Sequence, residues 1–119
     1  MDEVATNIRK LVIDTLELLE SKEKQLEYQQ KVPYADVSSE LFCRWDGAYI
    51  PDSPHNGKAF TAEELSALNA FNQIFEKVSE STPENLPPIE DFIKTSDWQQ
   101  LRDAAETAII KCSFRRKKD

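Results

Sequence analysis

Cys43 and His55 are the residues that could do chemistry of their own. His55 is the sole histidine of the chain, and Cys43 is one of two cysteines. An imidazole within reach of a thiol can take its proton and leave a thiolate nucleophile. Asp46, Asp52 and His55 add oxygen and nitrogen donors of the kind a divalent cation accepts. All four lie between Leu41 and Phe60, in LFCRWDGAYIPDSPHNGKAF, which also holds both glycines and two of the six prolines. The spacing argues against both chemistries. Cys43 stands between Phe42 and Arg44 on an expected helix, where a buried, inert thiol is the commoner outcome. His55 stands between Pro54 and Asn56 and is expected to be a solvated loop residue. The acids do not follow the alternating ligand pattern of a calcium loop, and a single histidine cannot build a two-histidine metal site. No catalytic, metal-binding or cofactor-binding residue is assigned.

Two further groups of charge deserve the same scrutiny. Glu63–Glu64 and Glu90–Asp91 are paired carboxylates, but helix neighbours diverge by about 100° and cannot oppose each other across a cleft. Both pairs fall in expected first turns, where the helix dipole favours acids. The tail KCSFRRKKD carries five basic groups and one acid. A net charge of −7 for the chain and +4 for residues 111–119 leaves −11 for the first 110 residues. A body so acidic repels phosphates, which makes nucleic acid a poor partner even with this tail. It attracts basic protein surfaces instead.

The aromatic and acidic residues Trp45, Asp46, Tyr49 and Asp52 then become the candidate partner-binding residues. Tyr and Trp dominate interface hot spots, and neighbouring carboxylates would meet Arg or Lys on a partner. The alternative is that the two rings close the core, and for Trp45 that alternative is favoured.

The elements that must position these residues read as helices. At 119 residues with 39% hydrophobic and 31% charged residues, the chain is expected to form one domain over 1–119. Two glycines in the whole chain argue against hairpin-rich folds and phosphate-cradling loops. The first helix is expected over Asp2 to Val32, with Val4, Ile8, Leu11, Val12, Leu19 and Leu26 on one face. Such a helix is about 45 Å long. Its C-terminal half would project, kink or pair with a second copy as a homodimer.

A short helix follows over Asp36 to Asp46, stopped by Gly47, and then an irregular loop at about 47–60. In that loop Tyr49 and Ile50 either anchor to the core or stay accessible. Thr61 and Glu64 form a capping box with Phe60 and Leu65 as a hydrophobic staple, opening the helix expected to be central. Its stripe is Leu65, Leu68, Phe71, Ile74, Phe75 and Val78. Pro88 opens a short helix with Ile89, Phe92 and Ile93 turned inward. Ser96 and Gln99 cap the last helix, whose stripe is Trp98, Leu101, Ala105, Ala108, Ile109 and Cys112.

The expected fold is therefore an all-α, single-domain bundle of four to five helices with a basic tail at 114–119. No secretory signal and no apolar run of ~20 residues is present, so a soluble, cytoplasmic protein without membrane contact is expected. The two cysteines lie far apart without metal-ligand spacing and suit a reducing compartment. In size, charge and lack of catalytic groups the chain is similar in kind to small acidic inhibitor or immunity proteins, which neutralise basic partners. That resemblance implies a non-enzymatic protein-binding module with a basic protein partner. The alternatives are a small thiol- or metal-dependent enzyme using Cys43 and His55, and a nucleic-acid-binding accessory protein using the C-terminal tail.

Overall fold

Ser21 breaks what the periodicity presents as one long helix. The computed structural model describes residues 3–82 and 86–112. The basic tail at 114–119, like Asp2, lies outside the described residues. Helix α1 spans Glu3–Glu20 and α2 spans Lys22–Lys31, with Ser21 extended between them at φ −108° and ψ 107°. Its hydroxyl accepts the Lys24 N–H, the usual N-cap bond. A continuous helix over this stretch, about 45 Å long, would exceed the molecule's 39 Å longest dimension, and of the expected outcomes the kink is the one realised. The break lets α2 turn back onto α3 and α6 instead. The projecting half that motivated a homodimer does not exist as a projection.

What holds the break is a tertiary contact. Gln25 is fully buried and donates from Nε2 to the carbonyls of Leu18 at 3.0 Å and Leu19 at 3.1 Å. These are carbonyls at the end of α1, where intrahelical donors run out. The Gln25 Oε1 accepts the indole N–H of Trp98 at 2.8 Å. One amide thus ties the end of α1 to the last helix.

Downstream, α3 covers Val37–Ala48 and is N-capped by Asp36, whose carboxylate accepts the Ser39 N–H. Gly47 does not stop it. The helix runs through Gly47 and ends at extended Tyr49, because Pro51 bars Ile50 from helical geometry. The 47–60 connection contains a single helical turn, α4 at Asn56–Ala59. Buried Asn56 closes it by donating to the Ile50 carbonyl at 2.7 Å.

The expected capping box is present at the start of α5, Ala62–Ser81: Thr61 Oγ1 accepts from Glu64 N, and the Glu64 carboxylate accepts from Thr61 N. Pro88 precedes the short α6, Ile89–Phe92, with Ile89 and Phe92 buried. The last helix, α7, spans Ser96–Cys112. Its cap is Thr95 rather than Ser96, since Thr95 Oγ1 accepts the Trp98 N–H.

The chain is all-α, 79% helical, with seven helices and no strand among the described residues. Five helices have ten or more residues because the first divided. Helix α1 is the more central element, packing on α2, α3, α4 and α7, whereas α5 lies against α7 and α4. Its inward face is rotated from the expected one: Ala5, Val12, Leu16 and Leu19 are buried, while Val4 and Leu11 are 49% and 47% exposed. On α5, Ile74 is 39% exposed, although Ala67 on the same side of the helix is buried, and both border a groove against α7. The α7 stripe is buried as expected, and Ala104, Ala105 and Ala108 allow close approach of its neighbours.

One ion pair locks the N-terminal helix to this frame. Arg9 grips both carboxylate oxygens of Glu64, at 2.8 and 2.9 Å, and also donates to the Ala59 carbonyl at 3.0 Å. The Glu64 side chain is only 12% exposed. A two-pronged, charge-assisted contact of this kind is stronger than a surface ion pair.

Candidate functional site

The four candidate residues divide into two kinds. Trp45 is completely buried and Tyr49 is 2% exposed, while Asp46 and Asp52 are exposed. The ring of Trp45 meets Phe71 edge-on at 4.5 Å between centroids and stacks on Tyr49 at 5.2 Å. Phe42 adds contacts to Phe75 and Phe92. An aromatic side chain buried this way commonly contributes about 3–5 kcal/mol on truncation. The two rings therefore form the wall behind the surface, and Asp46 and Asp52 are the exposed members of the four. Ile50, at 59% exposure, is the accessible apolar residue of the same segment.

Asn69, Asn72 and Glu76 belong to the site and escaped the sequence reading. They recur at i, i+3 and i+7 on α5, so they share one edge of that helix. Asn72 Oδ1 accepts the Trp45 indole N–H at 2.8 Å, and the Tyr49 hydroxyl donates to Asn69 Oδ1. Asn72 also approaches the Glu76 carboxylate, at 3.5 Å. Each buried ring thus satisfies its polar tip on the α5 edge, as buried Trp and Tyr require. Burial raises the Tyr49 hydroxyl above its usual range. The readable signal was the i, i+3, i+7 row of polar residues flanking the Leu68–Phe75 stripe.

Two acids flank this seam, Asp46 next to Trp45 on α3 and Glu76 next to Asn72 on α5. Asp46 is held above its ordinary carboxyl range, first by desolvation and then by the negative charge of Glu76. Among the described residues neither carboxylate has an ion-pair partner. The exposed acids of this face thus stand over a backing of buried rings whose polar tips are held by Asn69 and Asn72.

One of the two thiols takes an unexpected place. Cys43, expected to be buried, is exposed, because it faces away from the Leu41–Trp45 side of α3. No hydrogen bond joins it to His55, which precedes α4 and is itself exposed. Cys112 is buried against the Glu64 carbonyl, and burial followed by the Glu64 charge pushes its thiol up to about 11. Among the described residues no cluster of three His, Cys, Asp or Glu side chains could hold a metal ion. No helix among them is long and apolar enough to cross a membrane. The carboxylate pairs Glu63–Glu64 and Glu90–Asp91 occupy first turns of α5 and α6.

Comparison with protein-family models, with curated proteins and with solved structures finds no match.

Proposed function

We propose that this chain is a non-enzymatic binding module that docks a basic protein through its α3–α5 face. Asp46 and Glu76 form the centre of that face, Asp52 its flank, and Trp45 and Tyr49 its rigid backing. The observation that carries the reading is that Asp46 and Asp52 stay exposed over the buried Trp45 and Tyr49, with no ion-pair partner for Asp46 or Glu76 among the described residues. Two adjacent carboxylates without a cation repel each other in the free protein, and a partner's Lys or Arg would relieve that repulsion on binding. The acidic body would also steer such a partner by long-range attraction. An inhibitor or immunity-type role, in which the basic surface of a partner is covered, fits this chemistry. The partner is a different chain rather than a second copy, since a like-charged face does not pair with itself. Two unpaired cysteines fit a reducing, cytoplasmic setting.

The test uses the chain as an immobilised ligand. Wild-type protein is expected to retain a basic protein at low salt and to release it by about 0.5 M salt, where charge attraction is screened within a few ångströms. The variant Asp46→Lys with Glu76→Lys reverses two exposed charges and leaves the buried Trp45 and Tyr49 contacts intact, so it stays folded and captures at least about tenfold less. Equal capture by the two proteins refutes the reading.

A further inference from the structure

A groove of about 570 Å³ opens on another part of the surface, between α2, the α2–α3 turn and the segment that leads into α6. That volume is within the roughly 300–1,000 Å³ range of binding clefts. Its apolar lining is Leu26, Pro33, Ala35, Leu86 and Pro88. Both walls are pinned by side chains. Gln29 Nε2 donates to the carbonyls of Val32 at 3.1 Å and Ala35 at 2.8 Å, fixing the turn. Ser38 is fully buried and donates to the Pro87 carbonyl at 2.7 Å, holding the opposite wall to α3. Pro88 is extended, at φ −52° and ψ 153°. A groove held open in this way loses little freedom on binding.

Its charge is one-sided. Among the described residues Asp36 and Glu90 line it, no Lys or Arg does, and neither acid has an ion-pair partner. Between the lining residues Pro33 and Ala35, Tyr34 stands 91% exposed, the most exposed large hydrophobic residue among those described. A tyrosine carried on a pinned turn beside an apolar groove is the residue type that anchors interfaces.

We infer that this groove receives a peptide segment of a protein partner in which apolar side chains alternate with Lys or Arg. The apolar residues enter against Leu26, Leu86 and Pro88, and the cations reach Asp36 and Glu90. The sign of the partner's charge rests on the function proposed above; the position of the groove does not.

The experiment follows backbone amide shifts of the full chain on addition of three ten-residue probes. One alternates Leu with Arg, one Ser with Arg, and one Leu with Glu. The Leu/Arg peptide is expected to shift amides at 26–36 and 86–90, and the other two to bind at least about fivefold more weakly. Tyr34→Ala and Glu90→Lys, both exposed changes, are each expected to weaken the Leu/Arg peptide by a similar factor, while Asp46→Lys with Glu76→Lys leaves it within about twofold. Equal binding of the Ser/Arg peptide overturns the proposal, as does the absence of any shift. Shifts confined to residues around Asp46 and Glu76 overturn the groove while supporting the basic-partner reading. Groove shifts together with equal capture by the charge-reversed variant keep the groove and refute that reading.

Discussion

Replacing Gln25 by Met tests the account of how the first helix is broken. Methionine preserves an unbranched side chain of similar length but offers no comparable hydrogen bond. Three bonds disappear: the Trp98 indole N–H loses its acceptor, and the Leu18 and Leu19 carbonyls lose their shared donor. Leu18 keeps a second partner, the Ser21 N–H at 3.2 Å, so its loss is the smallest. A buried donor left unsatisfied costs about 1–3 kcal/mol, and a lost neutral bond about 1 kcal/mol. Methionine recovers part of this, because burying a thioether costs less than burying an amide. The net expectation is a loss of about 2–3 kcal/mol, a large share of the ~5–15 kcal/mol that holds a domain together. At roughly 4 °C per kcal/mol for this size, Tm falls by about 8–12 °C. Urea unfolding followed by circular dichroism supplies the free energy. A double-mutant cycle with Trp98→Phe isolates the indole contact, and a coupling of about 1 kcal/mol or more is expected. A Gln25→Met variant within about 0.5 kcal/mol of wild type, or a coupling near zero, would falsify the claim that this amide secures the break.

Other outcomes follow from the charged and thiol groups. A thiol reagent should titrate one cysteine in the native protein, Cys43, and the second only on unfolding, since Cys112 is buried with its thiol pushed up to about 11; two fast thiols would contradict this. Arg9, through its hydrogen bonds, holds the Glu64 carboxyl below its usual 4.5. Its stabilisation is then complete above about pH 4.5 and lost as pH falls through the native value. Glu64→Gln should cost about 1–2 kcal/mol at pH 7 and flatten the acid limb of stability, measured by denaturant titration across pH 2–7. Asp46 has the opposite sign: its carboxyl is raised above 3.8, so wild type loses stability as pH rises from there. Asp46→Asn should gain well under ~1 kcal/mol at pH 7, solvent screening being strong at an exposed group, and the gain should vanish below about pH 3.

Local chemistry made some elements legible in the residues themselves. The Thr61–Glu64 box is self-contained, four residues that satisfy one another's backbone groups, so it needs no outside partner to be recognised. The α7 stripe could be read because one continuous run of apolar and small residues faces inward. The all-α class followed from the same periodicity and from the scarcity of glycine. Tertiary structure decided where the reading depended on a distant residue. Nothing near Ser21 announces that Gln25 will be met by Trp98, 73 positions away, and without that contact the stretch looks uninterrupted. The cap at Thr95 rather than Ser96 was a choice between adjacent hydroxyls that the path of the chain made. Which way Tyr49 points was likewise set by Asn69 on another helix, as was the pairing of Asp46 with Glu76. Short-range hydrogen bonds and periodic burial are encoded within a few residues. The proposed face depends on side chains of two helices meeting, and such a meeting is a property of the packed chain.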